Sequence, residues 1–296
     1  MKHAALFFLF GLLLSACSPD VQKTIPKNPQ RIVSLAPSIT ECIHGAGATD
    51  RLVGVTRYCD YPGSISGLPR IGGMTDTNFE AVYKLKPDLI IVQEEHNASA
   101  ERLDSLGIPY LIINTSTIPD IFESLRLLGG VFQTEAAAEA TIRRLERRMA
   151  EIAEITKDAP KRKVLISVGR NMGTGGLSDV YVAGRTTLYN EMLELIGAEN
   201  VYSGNLKYAR LSSEGILRLE PDVVIDLIPD LEKSVKMSAR QVQSEWDDLV
   251  AIPAVQNGEV YVFGDDYVCV PGPRFILVLD DIARVVHPGL FAEVVE

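Results

Sequence analysis

Residues Arg31 to Pro62 read RIVSLAPSITECIHGAGATDRLVGVTRYCDYP, and the fold is decided by this stretch. Arg31-Ile-Val-Ser-Leu35 is a short β-branched apolar run, the kind that forms a strand buried on both faces. Pro37 and Ser38 stop it, and Ser38 is placed to cap a helix with Glu41 in the capping-box position. Gly45 and Gly47 end that helix, and Leu52-Val-Gly-Val55 supplies the next strand. The unit closes on Thr56-Arg57-Tyr58-Cys59-Asp60-Tyr61-Pro62, beyond the strand's carboxyl end. Open α/β sheets bind ligands at that end.

Working outward, the chain repeats itself. Phe79-Glu80 through Leu85-Lys-Pro87-Asp88-Leu-Ile-Ile-Val92 returns as Ser213-Glu214 through Leu219-Glu-Pro221-Asp222-Val-Val-Ile-Asp226. Glutamate, leucine, proline and aspartate each recur 134 residues on. A second echo pairs Glu41, Gly45-Ala-Gly47 and Val53 with Glu191, Gly197-Ala-Glu-Asn200 and Val201. One βα unit used twice implies two lobes.

Between the copies, Ile142, Leu145, Met149 and Ile152 fall at helical spacing over Thr134 to Thr156. Arg143, Arg144, Glu146, Arg147 and Arg148 take mainly the wet side. At ~1.5 Å per residue the segment is a rod of roughly 35 Å, long enough to run behind two lobes. A rigid helix there permits only small lobe motion. After it, Lys163-Val-Leu-Ile-Ser-Val168 starts the second lobe. The glycines of Gly169 to Gly176 lack the Gly-Lys-Ser/Thr ending of a phosphate loop, so this is read as a cleft loop. Val260-Tyr-Val-Phe263 is a late strand, and Pro271-Gly-Pro273-Arg274 begins the final helix.

The amino terminus is of another kind. Lys2 precedes an apolar run from Ala4 to Leu14, too short to span a bilayer. It ends in Leu14-Ser15-Ala16-Cys17, a lipoprotein cleavage signal in which the Cys17 thiol takes a diacylglycerol. Two or three acyl chains give durable anchoring where one is marginal. Residues 1–16 are thus a signal peptide and 17–29 a polar, proline-bearing tether. The lobes follow as 30–132 and 159–296, with 133–158 between them, in an extracytoplasmic, membrane-anchored protein.

A net charge of −10 argues against nucleic acid or an anionic bilayer surface as partner. Cys42, Cys59 and Cys269 allow one disulfide and one leftover thiol, in three alternative pairings. There is no G-x-S-x-G elbow, H-E-x-x-H or Walker loop, so catalysis has no sequence support. Of four histidines, His3 lies in the signal, while His44 and His287 read as packed or helix-terminal residues. His96 follows Glu94 at a strand exit, and with Asp266 could ligate a metal; a solvated loop is the plainer reading. A binding cleft fits better. Tyr58 and Tyr61, with Asp60 between them, come from the first lobe, and Tyr208 and Tyr267 from the second. Each tyrosine offers an apolar face and a hydroxyl rim, suited to a large, flat, amide-decorated ligand.

The segments SLAPSITE, RLVGVTRYCDYP, LKPDLIIV and PGPR, in that order, resemble the substrate-binding proteins of cobalamin and siderophore ABC importers. The resemblance runs from Arg31 to the C-terminus, and Tyr58 to Pro62 is closest to the cobalamin-binding branch. It implies an α/β fold of two Rossmann-like lobes with mainly parallel sheets, one bridging helix and a ligand cleft between the lobes. It further implies a monomer, with no cofactor, that captures a corrinoid and serves an ABC permease and its ATPase. Tyr58 matches a ring-contacting aromatic, Tyr208 stands at a tryptophan position, and Asp266 at a ligand-facing aspartate. Glu80 and Glu214 match glutamates that meet arginines on the two permease subunits. The chain departs from the pattern at Val270, where an arginine is usual, and at Met74 to Asn78, where a tryptophan is missing. Haem, a ferric siderophore or a metal ion is the alternative ligand, and an extracytoplasmic enzyme the third reading.

Overall fold

In the first lobe Ile32–Ser34 forms β1, and its three residues are all buried. Leu52–Val55 forms β2, Leu89–Gln93 β3 and Tyr110–Ile113 β4. They pair in the order β2-β1-β3-β4, parallel throughout, so every carboxyl end points to one edge of the lobe. This structure, a computed structural model, describes residues 25–96, 102–104, 107–172, 177–235 and 237–291. The signal, Cys17 and residues 173–176 of the glycine-rich loop lie outside the described residues.

In the second lobe β5 (Lys163–Asn171), β6 (Ser178–Ala183), β7 (Glu199–Asn200), β8 (Tyr208–Leu211), β9 (Val223–Leu227) and β10 (Val260–Phe263) form one sheet. Its order is β10-β9-β5-β6-β8, with β7 beside β5. The β10, β9, β5 core is parallel, but β6 runs antiparallel to both β5 and β8. The connection from β5 to β6 is too short for a crossover helix, and a chain that turns back at once must pair antiparallel.

The internal repeat is real in three dimensions. Ile32 pairs with Leu89 as Val164 pairs with Val223. Asp88 accepts from the Arg31 amide at 2.9 Å, and its repeat mate Asp222 accepts from the Lys163 amide at 2.8 Å. Asn78 and Ser212 each cap the helix that carries a glutamate, Phe79–Lys84 in one lobe and Ser213–Leu217 in the other. In the second echo, Gly47 and Gly197 leave their helices with φ of 78° and 72°, the left-handed turn that favours glycine.

The bridging helix runs from Glu135 to Thr156, 22 residues, with Ile142, Leu145 and Ile152 buried as their spacing requires. These side chains belong to one core that takes in Ile32 and Ile39 from the first lobe and Val164 and Leu279 from the second. A core shared under the helix resists hinge opening, because separating the lobes would expose packed apolar surface. Arg148 adds an ion pair to Asp280 of the final helix, Phe275–Val286, at 3.0 Å. No helix among the described residues is long and apolar enough to cross a membrane.

Two local expectations change. The first helix spans Pro37–Gly45 with Ala36 at its N-cap and no side-chain cap. Ser38 instead donates to Gln93 Oε1 on β3 at 3.3 Å, because it lies inside the helix and faces the sheet. Cys42, Cys59 and Cys269 are all free thiols, so the one-disulfide expectation fails; Cys59 is occupied by Thr40 and Thr56 hydroxyls at 3.3 and 3.0 Å. A third, the metal site of Glu94, His96 and Asp266, falls partly outside the described residues, since the His96 side chain is not among them. Among the described residues no three histidine, cysteine or carboxylate side chains converge, and Asp266 is held by Arg274.

Candidate functional site

The loop after β2 is fixed from below before its side chains can meet anything. Thr40 donates to Ser34 Oγ at 2.8 Å, and the thiol of Cys59, which burial raises in pKa, sits against Thr56. Arg70 reaches the Thr56 carbonyl at 3.2 Å and the Cys59 carbonyl as well. On this floor Tyr58 stands 56% exposed, its ring 5.6 Å from the Arg57 guanidinium, which is itself paired with Asp76.

Opposite, Tyr208 opens the edge strand β8 and is 43% exposed. Alternate residues of an edge strand face solvent, which is how this ring reaches the surface. Burial of the phenol, helped by the charge of Glu95, pushes its pKa up to about 12, so it is a neutral donor at physiological pH. The neighbouring Lys207 pairs with Glu95 and reaches Ser116 Oγ at 3.2 Å, both in the first lobe. A second bridge joins Asp60 to Lys233 of the second lobe at 3.3 Å. Two ion pairs, Lys207–Glu95 and Lys233–Asp60, thus cross between the lobes, one beside Tyr208 in sequence and the other close to Tyr58.

Tyr61, Asp266 and Tyr267 group elsewhere, around Arg274 at the start of the final helix. The guanidinium lies 4.3 Å from the Tyr61 ring centroid and 5.5 Å from that of Tyr267. It donates to Asp266 at 2.9 Å and, across the lobes, to Glu41 Oε1 through Nε at 2.9 Å and Nη2 at 2.7 Å. Glu41 is 2% exposed. Burial pushes its carboxyl pKa up, and the guanidinium pulls it back only in part. Gly272 makes room, since a Cβ there would fall 2.7 Å from Glu41 Oε2. The Tyr267 hydroxyl donates to Asp281 at 3.1 Å; burial, then the charges of Asp281 and Asp265, raise its pKa.

Sequence reasoning read Glu41 as a local cap and missed Arg274, Lys207, Lys233 and Glu95. The usable signal was the echo of Glu41 in Glu191. Each of these glutamates reaches over to the opposite lobe: Glu41 accepts from the Arg274 amide at 3.3 Å, and Glu191 from the Ile118 amide at 2.7 Å. Both amides lie at helix starts, where unpaired N–H groups favour a carboxylate. Glu80 and Glu214 stand far more open, 78% and 74% exposed, each paired one turn on with Lys84 or Arg218.

A family model described as periplasmic binding protein matches residues 32–267, which takes in the first lobe, the bridging helix and the second lobe up to the final helix. The chain belongs to the periplasmic binding protein family. It is similar to YvrC of Bacillus subtilis, an ABC transporter substrate-binding lipoprotein, with 31% identity over 94% of this chain and 86% of the relative. It is also similar to a vitamin B12-binding protein of Pectobacterium carotovorum, at 28% identity over 94% of this chain and 93% of that one. Among solved structures, a periplasmic haem-binding protein from Pseudomonas aeruginosa superposes with a TM-score of 0.74, at 26% identity over 88% of this chain and 94% of the other. This periplasmic binding protein therefore works outside the cytoplasm as the capturing component of an ABC transporter, and is not an enzyme.

Proposed function

We propose that this binding protein captures a corrinoid between its lobes and hands it to an ABC import permease with its ATPase, acting as a lipid-anchored monomer. The observation that carries the reading is the cleft rim. Two open tyrosines, Tyr58 and Tyr208, stand on opposite lobes, while Lys207, Lys233 and Arg57 are already paired with carboxylates. Neutral aromatic faces with spent cations suit a large amide-rimmed ring. A ferric siderophore or haem brings carboxylates or other anionic groups that need cationic partners of their own. Asp60 stands at the rim through its bridge to Lys233, while Tyr61, Asp266 and Tyr267, expected from the sequence as ligand contacts, gather around Arg274 instead. The vitamin B12-binding relative supports the corrinoid, and the haem-binding structure makes haem the rival. Mass spectrometry of the ligand released from protein exported in a medium containing both tests the reading: a corrinoid mass is expected, and a haem mass overturns it.

Tyr58→Ala is expected to weaken corrinoid binding by about 1–3 kcal/mol, the loss of one aromatic anchor in a desolvated site. Titration calorimetry checks it, with circular dichroism to verify the fold.

The anchor is proposed at Cys17. Cys17→Ser is expected to abolish incorporation of labelled fatty acid and leave an unprocessed or soluble product, because no other thiol precedes the tether. Label in the variant would place the lipid elsewhere.

A further inference from the structure

Beside the Glu41–Arg274 pair lies a cavity of about 380 Å³ that belongs to neither Tyr58 nor Tyr208. His44 of the first helix, Thr141 and Arg144 of the bridging helix and Leu277 of the final helix line it, with Tyr61 and Arg274 closing one side. Its volume falls at the lower end of small-molecule sites, which run from roughly 300 to 1,000 Å³.

The electrostatics of the walls are uneven. Glu41 and Asp266 also face the cavity, but both are spent on Arg274. Arg144 makes no ion pair or hydrogen bond among the described residues. Its charge, after burial, holds the pKa of His44 down, so the two side chains are electrostatic neighbours. His44 Nδ1 is engaged by Thr49 Oγ1 at 2.8 Å, which leaves Nε2 without a partner among the described residues. Leu277, 40% exposed, supplies an apolar part of the lining.

We propose that this cavity is a second ligand site, separate from the cleft rim, for a compact monocarboxylate with an apolar body. The carboxylate would sit on the planar guanidinium of Arg144, which presents two parallel donors, and take a further hydrogen bond from His44. The apolar body would cover Leu277. A single charge is what Arg144 balances; a doubly charged phosphate would meet Glu41 and Asp266 on the same walls. The occupant touches the first lobe, the bridging helix and the final helix at once, so it ties the lobes together beside their cross-lobe ion pair. Its affinity and that of the cleft ligand are then coupled in both directions.

Calorimetric titration of the purified protein with benzoate, and with inorganic phosphate for comparison, is the test. Benzoate is expected to bind saturably, one per chain, and phosphate not to. Arg144→Gln, a change on the wet face of a helix, is expected to weaken benzoate by about tenfold or more, as for a lost hydrogen bond to a charged group. Leu277→Trp is expected to fill the cavity and abolish binding with the fold intact. Tyr208→Ala, at the cleft rim, is expected to leave benzoate affinity unaltered. The proposal is overturned if benzoate gives no saturable heat, if Arg144→Gln binds it as well as the parent, or if Tyr208→Ala loses it. The last result would assign the probe to the cleft, a failure distinct from any failure to bind corrinoid.

Discussion

Arg274→Ala is expected to lower the stability of the protein by about 3–5 kcal/mol, the usual cost of removing one partner from a buried ion pair. Four hydrogen bonds to Glu41 and Asp266 converge on this residue, and only one of them comes from its backbone amide. Without the guanidinium, Glu41 stays buried with no compensating charge, and Tyr61 and Tyr267 lose the plane they pack against. The pH dependence has a definite sign. In the variant burial, the largest cause, and the charge of Asp266 still raise the Glu41 pKa above that of the unfolded chain, and only the hydrogen bond from the residue 274 amide is left to lower it. The folded state then binds the extra proton, so stability rises as pH falls from the raised folded value toward the ordinary carboxylate range. Thermal melts of parent and variant should therefore differ most near neutral pH and converge in mild acid. A gap that widens in acid would contradict the account.

Glu80→Ala combined with Glu214→Ala is expected to leave ligand affinity nearly unchanged while sharply reducing uptake through the permease. The two carboxylates occupy equivalent places in the two lobes, at the first turn of capped helices, and are open to solvent. Their partners Lys84 and Arg218 are themselves exposed, and such pairs contribute little to stability, so both glutamates can be recruited by a basic docking surface. Charge pairing at a rim sets encounter rate and orientation rather than fold. Transport and binding are to be measured on the same variant. If uptake survives, or if affinity falls with it, these residues have another role.

Much of this was legible because it is local. The β-branched run at Ile32–Ser34, the strand Leu52–Val55 and the stripe Ile142, Leu145, Ile152 follow from spacing alone, and the structure has them where the spacing put them. The repeat was legible for the same reason, since Pro221-Asp222 copies Pro87-Asp88 letter for letter. What was not legible depends on distant partners. Glu41 and Arg274 are 233 residues apart, and no period in the chain links them. Ser38 satisfies the pattern of an N-cap but is drawn into the helix, where Gln93 offers its side chain a partner. The antiparallel β6 and β8 were hidden because an alternating strand does not declare its direction. Candidate binding residues were found by type, chiefly as tyrosines; that Tyr61, Asp266 and Tyr267 gather around Arg274 needed coordinates.

The central claim, that a corrinoid occupies the cleft, is tested most directly by a visible-absorption titration of the purified protein with cyanocobalamin, dicyanocobinamide and haem in parallel. Saturation at one corrinoid per chain is expected, with no spectral response to haem. A saturating haem spectrum with both corrinoids silent would contradict it.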